Sequence, residues 1–369
     1  MSSPSTSDAV RGHGALDAQR PVLVLVSGSG RSGTSSLAGT LKRLGLHVPQ
    51  PEVPASETNP RGFYEPQWVI DFHKRHLGEL AMHNIDSRPQ AVALVEGLLA
   101  TGKPQAELRE WLSGQLDRRQ IVVKDPHAFW FASAWAEVCA ELDVDLRWLT
   151  ALRHPAEVVG SRDLAYLQSS TDELRMVKET SNVAGWVHAA LLTERAGRGH
   201  RRSFVRYVDL LADWRTALVP VRDQLELEFN TDLTRHETHD VDSFLEPSMR
   251  RSQLTWADVR TPQWLQELAE EVWTLLGDLV VDPADVVAQG RLEEIHTEYV
   301  ARYTEAVALT FDHNKAEATH GARKGREAQR ETVEKLRSEI AALKARPVEA
   351  QPPVADSVLA KVARRLRRR

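Results

Sequence analysis

The feature that most constrains this chain is a glycine-rich turn between an apolar run and a helical pattern. The run Val22–Val26 contains only valine and leucine, and the turn Ser27–Ser35 follows it directly. Glycines allow a sharp turn that brings backbone N–H groups close to a ligand, and a helix start offers unpaired N–H groups and the positive end of its dipole. Residues 22–44 therefore predict a strand, a phosphate-binding turn and a helix.

Length and composition favour a soluble globular protein. The 369 residues suffice for one large α/β domain or for two smaller domains, and a net charge of -5 gives no basis for nucleic-acid binding. Cys139 is the only cysteine, so we expect no internal disulfide and a reducing, cytoplasmic setting. The polar residues 1–20 do not resemble a signal peptide and are expected to form a disordered tail.

Apolar runs that alternate with helical patterns predict a parallel α/β fold. After Val22–Val26, these runs are Ile121–Val123, Leu146–Leu152 and Ser203–Tyr207. Strands separated by helices favour three layers, with a parallel sheet flanked by helices and ligands at the carboxyl ends of the strands. Polar or glycine-rich segments follow all four runs. We therefore expect the functional residues at that edge of the sheet.

The pattern changes after about residue 310, which suggests a C-terminal appendage. We assign residues 21–310 to the catalytic domain, 311–346 to an amphipathic or coiled-coil helix, and 347–369 to a Pro-rich break with a basic amphipathic tail. Apolar residues in the helix recur at spacings of three and four: Val333, Leu336, Ile340 and Leu343. The arginine-rich tail could contact an anionic membrane surface or another acidic partner, and its alternative is a solvated charge patch.

The glycines of the turn also fit other nucleotide-binding families. Gly28, Gly30 and Gly33 have the spacing of the dinucleotide fingerprint, which requires a second strand ending in an acidic residue. Here the helix leads into a proline-rich segment. Glu52 in that segment lies at a suitable distance from the glycines but not on a predicted strand. The Walker A spacing is also present, but Thr34 stands in place of its lysine. An NAD-binding Rossmann protein and a kinase-like phosphotransferase are therefore the alternatives.

A cation inside the turn, Arg31, points to a different phosphate ligand. Arg31 could neutralise the negative charge that develops when a bond to a bound phosphate breaks. The segment Gly28–Leu37 resembles the 5′-phosphosulfate-binding loop of sulfotransferases that use 3′-phosphoadenosine 5′-phosphosulfate (PAPS). The segment Arg153–Ser161 resembles the 3′-phosphate-binding element of the same family. Its end residues are about two helical turns apart, which allows both side chains to bind one phosphate.

Shorter segments extend this resemblance over about residues 20–255. They are Asn59–Glu65, similar to the NPxGYxE segment of a bacterial branch; Lys124–Pro126, similar to the lysine-bearing strand end; Tyr207–Leu211, similar to a Y-E-D-L-L element; and Val241–Pro247 with Arg250 and Arg251. Two positions depart from the pattern. Val208 stands where the tyrosine element usually has glutamate, and His127 stands where many relatives have arginine.

The resemblance implies a PAPS-dependent sulfotransferase with a P-loop-like nucleotide fold. Its acceptor would be a hydroxyl on a carbohydrate, lipid or small metabolite, with no nucleic-acid partner. The residues implied to bind the donor are Gly30, Arg31, Ser32, Gly33, Thr34 and Ser35 at the 5′-phosphosulfate, Arg153 and Ser161 at the 3′-phosphate, and Tyr207 near the adenine. Arg31 and Lys124 would stabilise the leaving phosphate. No metal is expected, because these cations take the role that magnesium has in kinases.

Several residues are candidates for the general base of such a transfer. A carboxylate close to the acceptor hydroxyl suits the reaction, and the loop after the first helix supplies three. We rank Glu65 first, because it belongs to the Asn59–Glu65 segment, and Glu57 second. Glu52 and His127 are the alternatives. Glu65 could instead be a charge at the start of the next helix, stabilised by the helix dipole.

Other candidate residues also have purely structural alternatives. The side chains that could line an acceptor pocket, but are more often core residues, are Trp68, Phe72, His73, Trp130, Phe131 and Trp135. Lys124 and Asp125 could form a simple buried ion pair at the strand end. Tyr207 could be a core residue.

Overall fold

The computed structural model describes residues 20–57, 59–83, 85–166, 171–250 and 252–345. It divides into two compact units, Met1–Tyr303 and Thr304–Arg369. The predicted N-terminal tail, apart from its last residue, lies outside the described residues, as do Arg251 and the Pro-rich and basic segment 347–369. The membrane or partner contact of that segment stays a prediction.

In the described part of the chain, four parallel strands form a sheet in the order β2-β1-β3-β4. The strands are β1 Val22–Ser27, β2 Gln120–Lys124, β3 Asp145–Leu152 and β4 Arg201–Arg206. β1 pairs with β2 and β3, and β3 pairs with β4. The predicted α/β fold and its strands are confirmed. One boundary differs, because Tyr207 lies beyond β4 and begins a helix.

Helices connect the strands and continue to the C-terminal end of the described chain. They are α1 Thr34–Arg43, α2 Gln67–Glu79, α3 Ala91–Leu99, α4 Lys103–Ser113, α5 Ala132–Glu141, α6 Pro155–Tyr166, α7 Asp172–Gly197, α8 Tyr207–Ala212, α9 Trp214–Gln224, α10 Asp240–Phe244, α11 Gln263–Val281, α12 Val286–Leu309 and α13 Phe311–Ala345. A short 3-10 helix, Ala128–Phe131, follows β2. The proline-rich segment between α1 and α2 is a loop, as predicted.

Alternate residues of β1 pack into two different cores, which gives the fold its three layers. Leu23 and Leu25 pack with apolar residues of α2, α4 and α5. Val24 and Val26 pack with apolar residues of α1 and α9. Successive side chains of a strand point to opposite faces of a sheet. The sheet is therefore covered by helices on both faces, which leaves the carboxyl ends of the strands as the accessible edge.

The aromatic residues considered for an acceptor pocket belong to the core on the α2 side of the sheet. Phe72, Phe131 and Trp135 are at most 1% exposed. Trp68 stacks on Phe72, with ring centroids 5.0 Å apart. The core alternative therefore holds for these side chains.

The second unit is described as far as the end of α13, a continuous helix of 35 residues. Val333, Leu336 and Ile340 are 40%, 51% and 51% exposed. Their spacing places them on one face of the helix. The amphipathic pattern is thus carried by a helix, and coiled-coil pairing stays a prediction. None of the described helices is long and apolar enough to cross a membrane.

Candidate active site

The turn between β1 and α1 has a backbone that few side chains tolerate. Gly28 and Gly33 have φ angles of 134° and 89°, and Arg31 has a φ angle of 77°. A Cβ atom on Gly28 would lie 2.6 Å from the carbonyl oxygen of Ala151 in β3. Positions 28 and 33 therefore require glycine. The positive φ of Arg31 is backbone strain, which is commonly found at binding sites.

The first turn of α1 presents N–H groups next to this loop. Gly33 is the N-cap residue, no side chain caps this helix start, and its first turn carries no acidic residue. The first N–H groups of a helix have no partners within it, and the helix dipole favours an anion beside them. The start of α1, with the hydroxyl groups of Thr34 and Ser35, therefore suits a phosphate or sulfate group.

Gly33 lies directly against the ring of Tyr207, the first residue of α8. A Cβ atom on Gly33 would lie 2.2 Å from Cδ2 of that ring. The sequence resemblance implies a site for 3′-phosphoadenosine 5′-phosphate (PAP). If PAP binds here, we expect Gly33→Ala to weaken its binding about tenfold or more, because steric overlap and backbone strain each cost about 1–3 kcal/mol. Isothermal titration calorimetry measures the dissociation constant.

Gly97 in α3 provides the matched control for this substitution. A Cβ atom on Gly97 would meet no atom within 4 Å. Gly97→Ala is therefore expected to keep the affinity of the unmodified chain. Unchanged affinity in Gly33→Ala, or an equal loss in both variants, would contradict a specific role for the Gly33 position.

Lys124, the last residue of β2, connects the glycine-rich loop to the segment before α2. Its ammonium group donates hydrogen bonds to Ser35 Oγ, at 3.2 Å, and to the carboxylate of Glu65. Asn59 Nδ2 donates to the same Ser35 hydroxyl at 3.4 Å. Lys124 thus forms its ion pair with Glu65 rather than with Asp125.

Glu65 lies two residues before α2 and is 7% exposed. Burial raises the pKa of Glu65 above its ordinary value, although the positive charge of Lys124 acts in the opposite direction. The carboxylate is therefore a stronger proton acceptor than an exposed glutamate. Its ion-pair partner Lys124 lies on β2, so Glu65 contacts the sheet as well as the start of α2.

Arg153 follows the end of β3 and is fixed by three protein acceptors. Its Nε donates to Glu157 at 3.0 Å, Nη1 to the carbonyl oxygen of Arg31 at 3.1 Å, and Nη2 to the carbonyl oxygen of Ser252 at 2.9 Å. Its guanidinium carbon lies 5.2 Å from the centroid of the Tyr207 ring. These contacts hold the positive charge of Arg153 beside both the loop and α8.

Ser161 in α6 joins the same group of residues. The guanidinium Nε of Arg31 donates to Ser161 Oγ at 3.1 Å. Glu157, one helical turn earlier, balances the charge of Arg153. Burial would raise the pKa of Glu157, but hydrogen bonds from Arg250 and Arg153 outweigh burial and lower it. The residues predicted at the 3′-phosphate therefore meet Arg31 of the loop.

These elements enclose one cavity of about 390 Å³. The volume falls in the range of small-molecule sites. Among the described residues that line it, one is acidic, Glu65, and five are basic: Arg31, Arg61, Lys74, Lys124 and Arg153. This excess of positive charge favours an anionic ligand. Within the described ranges, no cluster of three or more His, Cys, Asp or Glu side chains suits a metal ion.

Most of the site residues predicted from the sequence line this cavity. They are Gly30, Arg31, Gly33, Thr34, Ser35, Glu65, Lys124, Arg153, Ser161 and Tyr207, and His127 lines it too. Ser32 is 1% exposed and its hydroxyl bonds within the loop to Ser29. Glu57 is exposed on the loop, and Glu52 binds Lys42 and Gln50 away from the cavity lining.

The structure links three buried side chains through contacts that the sequence did not predict. Asp125 contacts Nδ1 of His73 at 2.6 Å and Nδ1 of His127 at 2.5 Å. Burial would raise the pKa of Asp125, but the two histidines hold it well below its ordinary value. Burial lowers the pKa of His73. The only sequence signal for this group is a carboxylate placed directly after β2.

Comparisons with known proteins give distant structural matches. No protein-family model and no curated protein matches the chain. The sulfotransferase domain from the Synechococcus PCC 7002 olefin synthase is 18% identical, with a TM-score of 0.40 over 71% of this chain and 96% of that chain. The sulfotransferase domain from the curacin biosynthetic pathway is 16% identical, with a TM-score of 0.38 over 70% of this chain and 98% of that chain.

Proposed function

We propose that this chain is a PAPS-dependent sulfotransferase that transfers a sulfuryl group to an acceptor hydroxyl. One observation carries the proposal: two groups of residues suited to an anion line the same cavity and meet at Arg31. The first consists of the glycine-rich loop, the start of α1 and Lys124; the second consists of Arg153 and Ser161. A nucleotide with anionic groups at both its 5′ and 3′ positions matches such a pair, whereas ATP and NAD lack the 3′-phosphate.

The residues around the cavity fit the donor that the sequence resemblance implies. Gly33 packs directly against the ring of Tyr207, which a Cβ atom at this position would overlap. The ring of Tyr207 therefore lies next to the phosphate-binding loop, where it can contact a nucleotide base. Arg153 is fixed against the same ring, at 5.2 Å from its centroid. Three strand ends and α8 thus supply groups for one elongated anionic ligand.

The chain's own charged groups suit an in-line transfer. PAPS would supply the sulfuryl group and a phosphate leaving group. Lys124 and Arg31 place positive charge at the cavity, where it would stabilise the negative charge that develops on the leaving oxygen. Glu65 and His127 both line the cavity and both can accept a proton. We propose a hydroxyl of a carbohydrate, lipid or small metabolite as the acceptor.

Nucleotide selectivity tests this proposal without knowledge of the acceptor. At about 100 times its dissociation constant, PAP is expected to raise the melting temperature of the full chain by about 5 °C. Adenosine 5′-phosphate, ATP with magnesium, and NAD are expected to give smaller shifts at equal concentration, because they lack the 3′-phosphate. Differential scanning fluorimetry measures these shifts.

The alternatives make opposite predictions in the same measurement. Stabilisation by ATP with magnesium but not by PAP would favour a kinase-like phosphotransferase. Stabilisation by NAD alone would favour a Rossmann protein. If PAP binds, transfer of labelled sulfate from PAPS onto a cell extract, separated into glycan, lipid and small-molecule fractions, identifies the class of acceptor.

A further inference from the structure

A chain of buried hydrogen bonds leads from α5 to the wall of the cavity. The indole Nε1–H of Trp135 donates to Nε2 of His73 at 3.2 Å. An indole nitrogen is only a donor, so Nε2 of His73 has to be the acceptor and its proton lies on Nδ1. This Nδ1–H then donates to Asp125 Oδ2 at 2.6 Å. Trp135, His73 and Asp125 are all fully buried, which fixes their orientation.

The second oxygen of Asp125 holds His127. Asp125 Oδ1 accepts from the backbone N–H of His127 at 2.9 Å and contacts its Nδ1 at 2.5 Å. A carboxylate can only accept here, because the pKa of Asp125 lies well below its ordinary value. The proton of a neutral His127 ring therefore lies on Nδ1, and the lone pair lies on Nε2. His127 lines the cavity, so this lone pair belongs to a side chain at the transfer site.

Glu65, the other proton acceptor at the cavity, already forms an ion pair. Its carboxylate receives the ammonium group of Lys124, and both side chains are buried. Protonation of Glu65 would remove the charge partner of the lysine that the transfer requires. Proton removal by a separate side chain leaves this ion pair intact during the reaction.

We infer that His127 is the general base of the proposed sulfuryl transfer, and that Asp125 and His73 are positioning residues that fix its tautomer and orientation. The inference rests on the proposed function. The acceptor hydroxyl gives its proton to Nε2 of His127 while its oxygen bonds to sulfur. The bond between that sulfur and the bridging phosphate oxygen breaks, and its electron pair stays on the phosphate. The products are a sulfate ester, PAP and protonated His127, which returns its proton to solvent.

The test combines turnover with chemical rescue in the full chain. Release of PAP from PAPS is measured with water, and then with simple alcohols and phenols, as acceptors. We expect His127→Ala to lower turnover about 10²–10⁴-fold while PAP binding stays within about tenfold, and added imidazole to restore part of the activity. His83→Ala, at an exposed position away from the cavity, is the control and is expected to turn over normally.

The positioning role of Asp125 has its own measurement. In ¹⁵N-histidine-labelled protein, NMR is expected to show the Nδ1–H tautomer for His127, and Asp125→Asn is expected to remove that preference and to lower kcat more than it raises KM. Normal turnover in His127→Ala, or an Nε2–H tautomer in the unmodified chain, would overturn the inference. If PAP does not bind the unmodified chain, the proposed function itself fails. If PAP binds and Glu65→Gln alone abolishes turnover, the function stands and Glu65 is the base.

Discussion

Lys124→Met is expected to lower turnover about 10³-fold while PAP affinity changes less than about tenfold. Lys124 is 3% exposed, and its ammonium group is hydrogen-bonded to Ser35 at the start of α1 and to Glu65. Charge in such a water-poor site acts more strongly on a developing negative charge than it would in water. Its effect is largest in the transition state, so kcat is expected to fall far more than donor binding.

The experiment needs two controls. One is for the loss of a lysine in general, and the other is for the buried carboxylate of Glu65, which loses its ion-pair partner. Lys103→Met removes an exposed lysine at the start of α4 and is expected to keep normal turnover. Thermal melting of Lys124→Met with and without PAP shows whether the site is still assembled. A variant that still responds to PAP and turns over at the normal rate would show that Lys124 does not stabilise the transition state.

The sequence predicts the sheet well because its strands carry a strong local signal. Each strand is a short apolar run, and buried parallel strands require such runs. The same reasoning places the candidate site residues at one edge, because the carboxyl ends of parallel strands meet there. Arg31 and Arg153 are 122 residues apart in the chain, yet the Arg153 side chain binds the backbone of Arg31. The sheet topology and the two segment resemblances are enough to predict that Arg31 and Arg153 lie close together.

The candidate general bases are harder to distinguish from the sequence. Glu57 and Glu65 belong to the same proline-rich segment, and composition does not distinguish them. In the fold, Glu57 is exposed, whereas Glu65 contacts the end of β2. The path of an irregular loop depends on tertiary contacts rather than on periodicity, so only the resemblance of the Asn59–Glu65 segment favours the carboxylate that lines the cavity.

The buried histidine chain is a still harder case. His73 lies on α2, 52 residues before Asp125, and occupies a position that the helical pattern assigns to the core. Its packing among aromatic side chains fits that assignment. Only the three-dimensional structure shows that its ring also binds the carboxylate that holds His127. Polar contacts between distant elements leave no periodic signal, and for this reason sequence reasoning missed the group.

Arg153→Met is expected to lower the preference of the chain for PAP over adenosine 5′-phosphate about 100-fold. Charge-assisted hydrogen bonds from a fixed guanidinium group to a phosphate are strong and directional, and a methionine side chain provides none. Arg153 is positioned by Glu157, by the backbone of Arg31 and by the backbone of Ser252, so little ordering is required on binding. Affinity for adenosine 5′-phosphate is expected to change little. Calorimetric titration with both nucleotides measures the ratio.

Arg147 gives a closely matched control, because it lies on β3, which Arg153 directly follows, and both residues are 7% exposed. It lies near the opposite end of β3, where it binds Asp145 and the carbonyl oxygens of Leu225 and Glu226. Arg147→Met is expected to lower the melting temperature through the loss of these contacts and to keep the preference for PAP. If both variants lose stability and both keep that preference, Arg153 is a structural residue only. Loss of preference in Arg153→Met alone identifies it as the group that recognises the 3′-phosphate, since Arg153 lines the cavity and Arg147 lies near the start of β3.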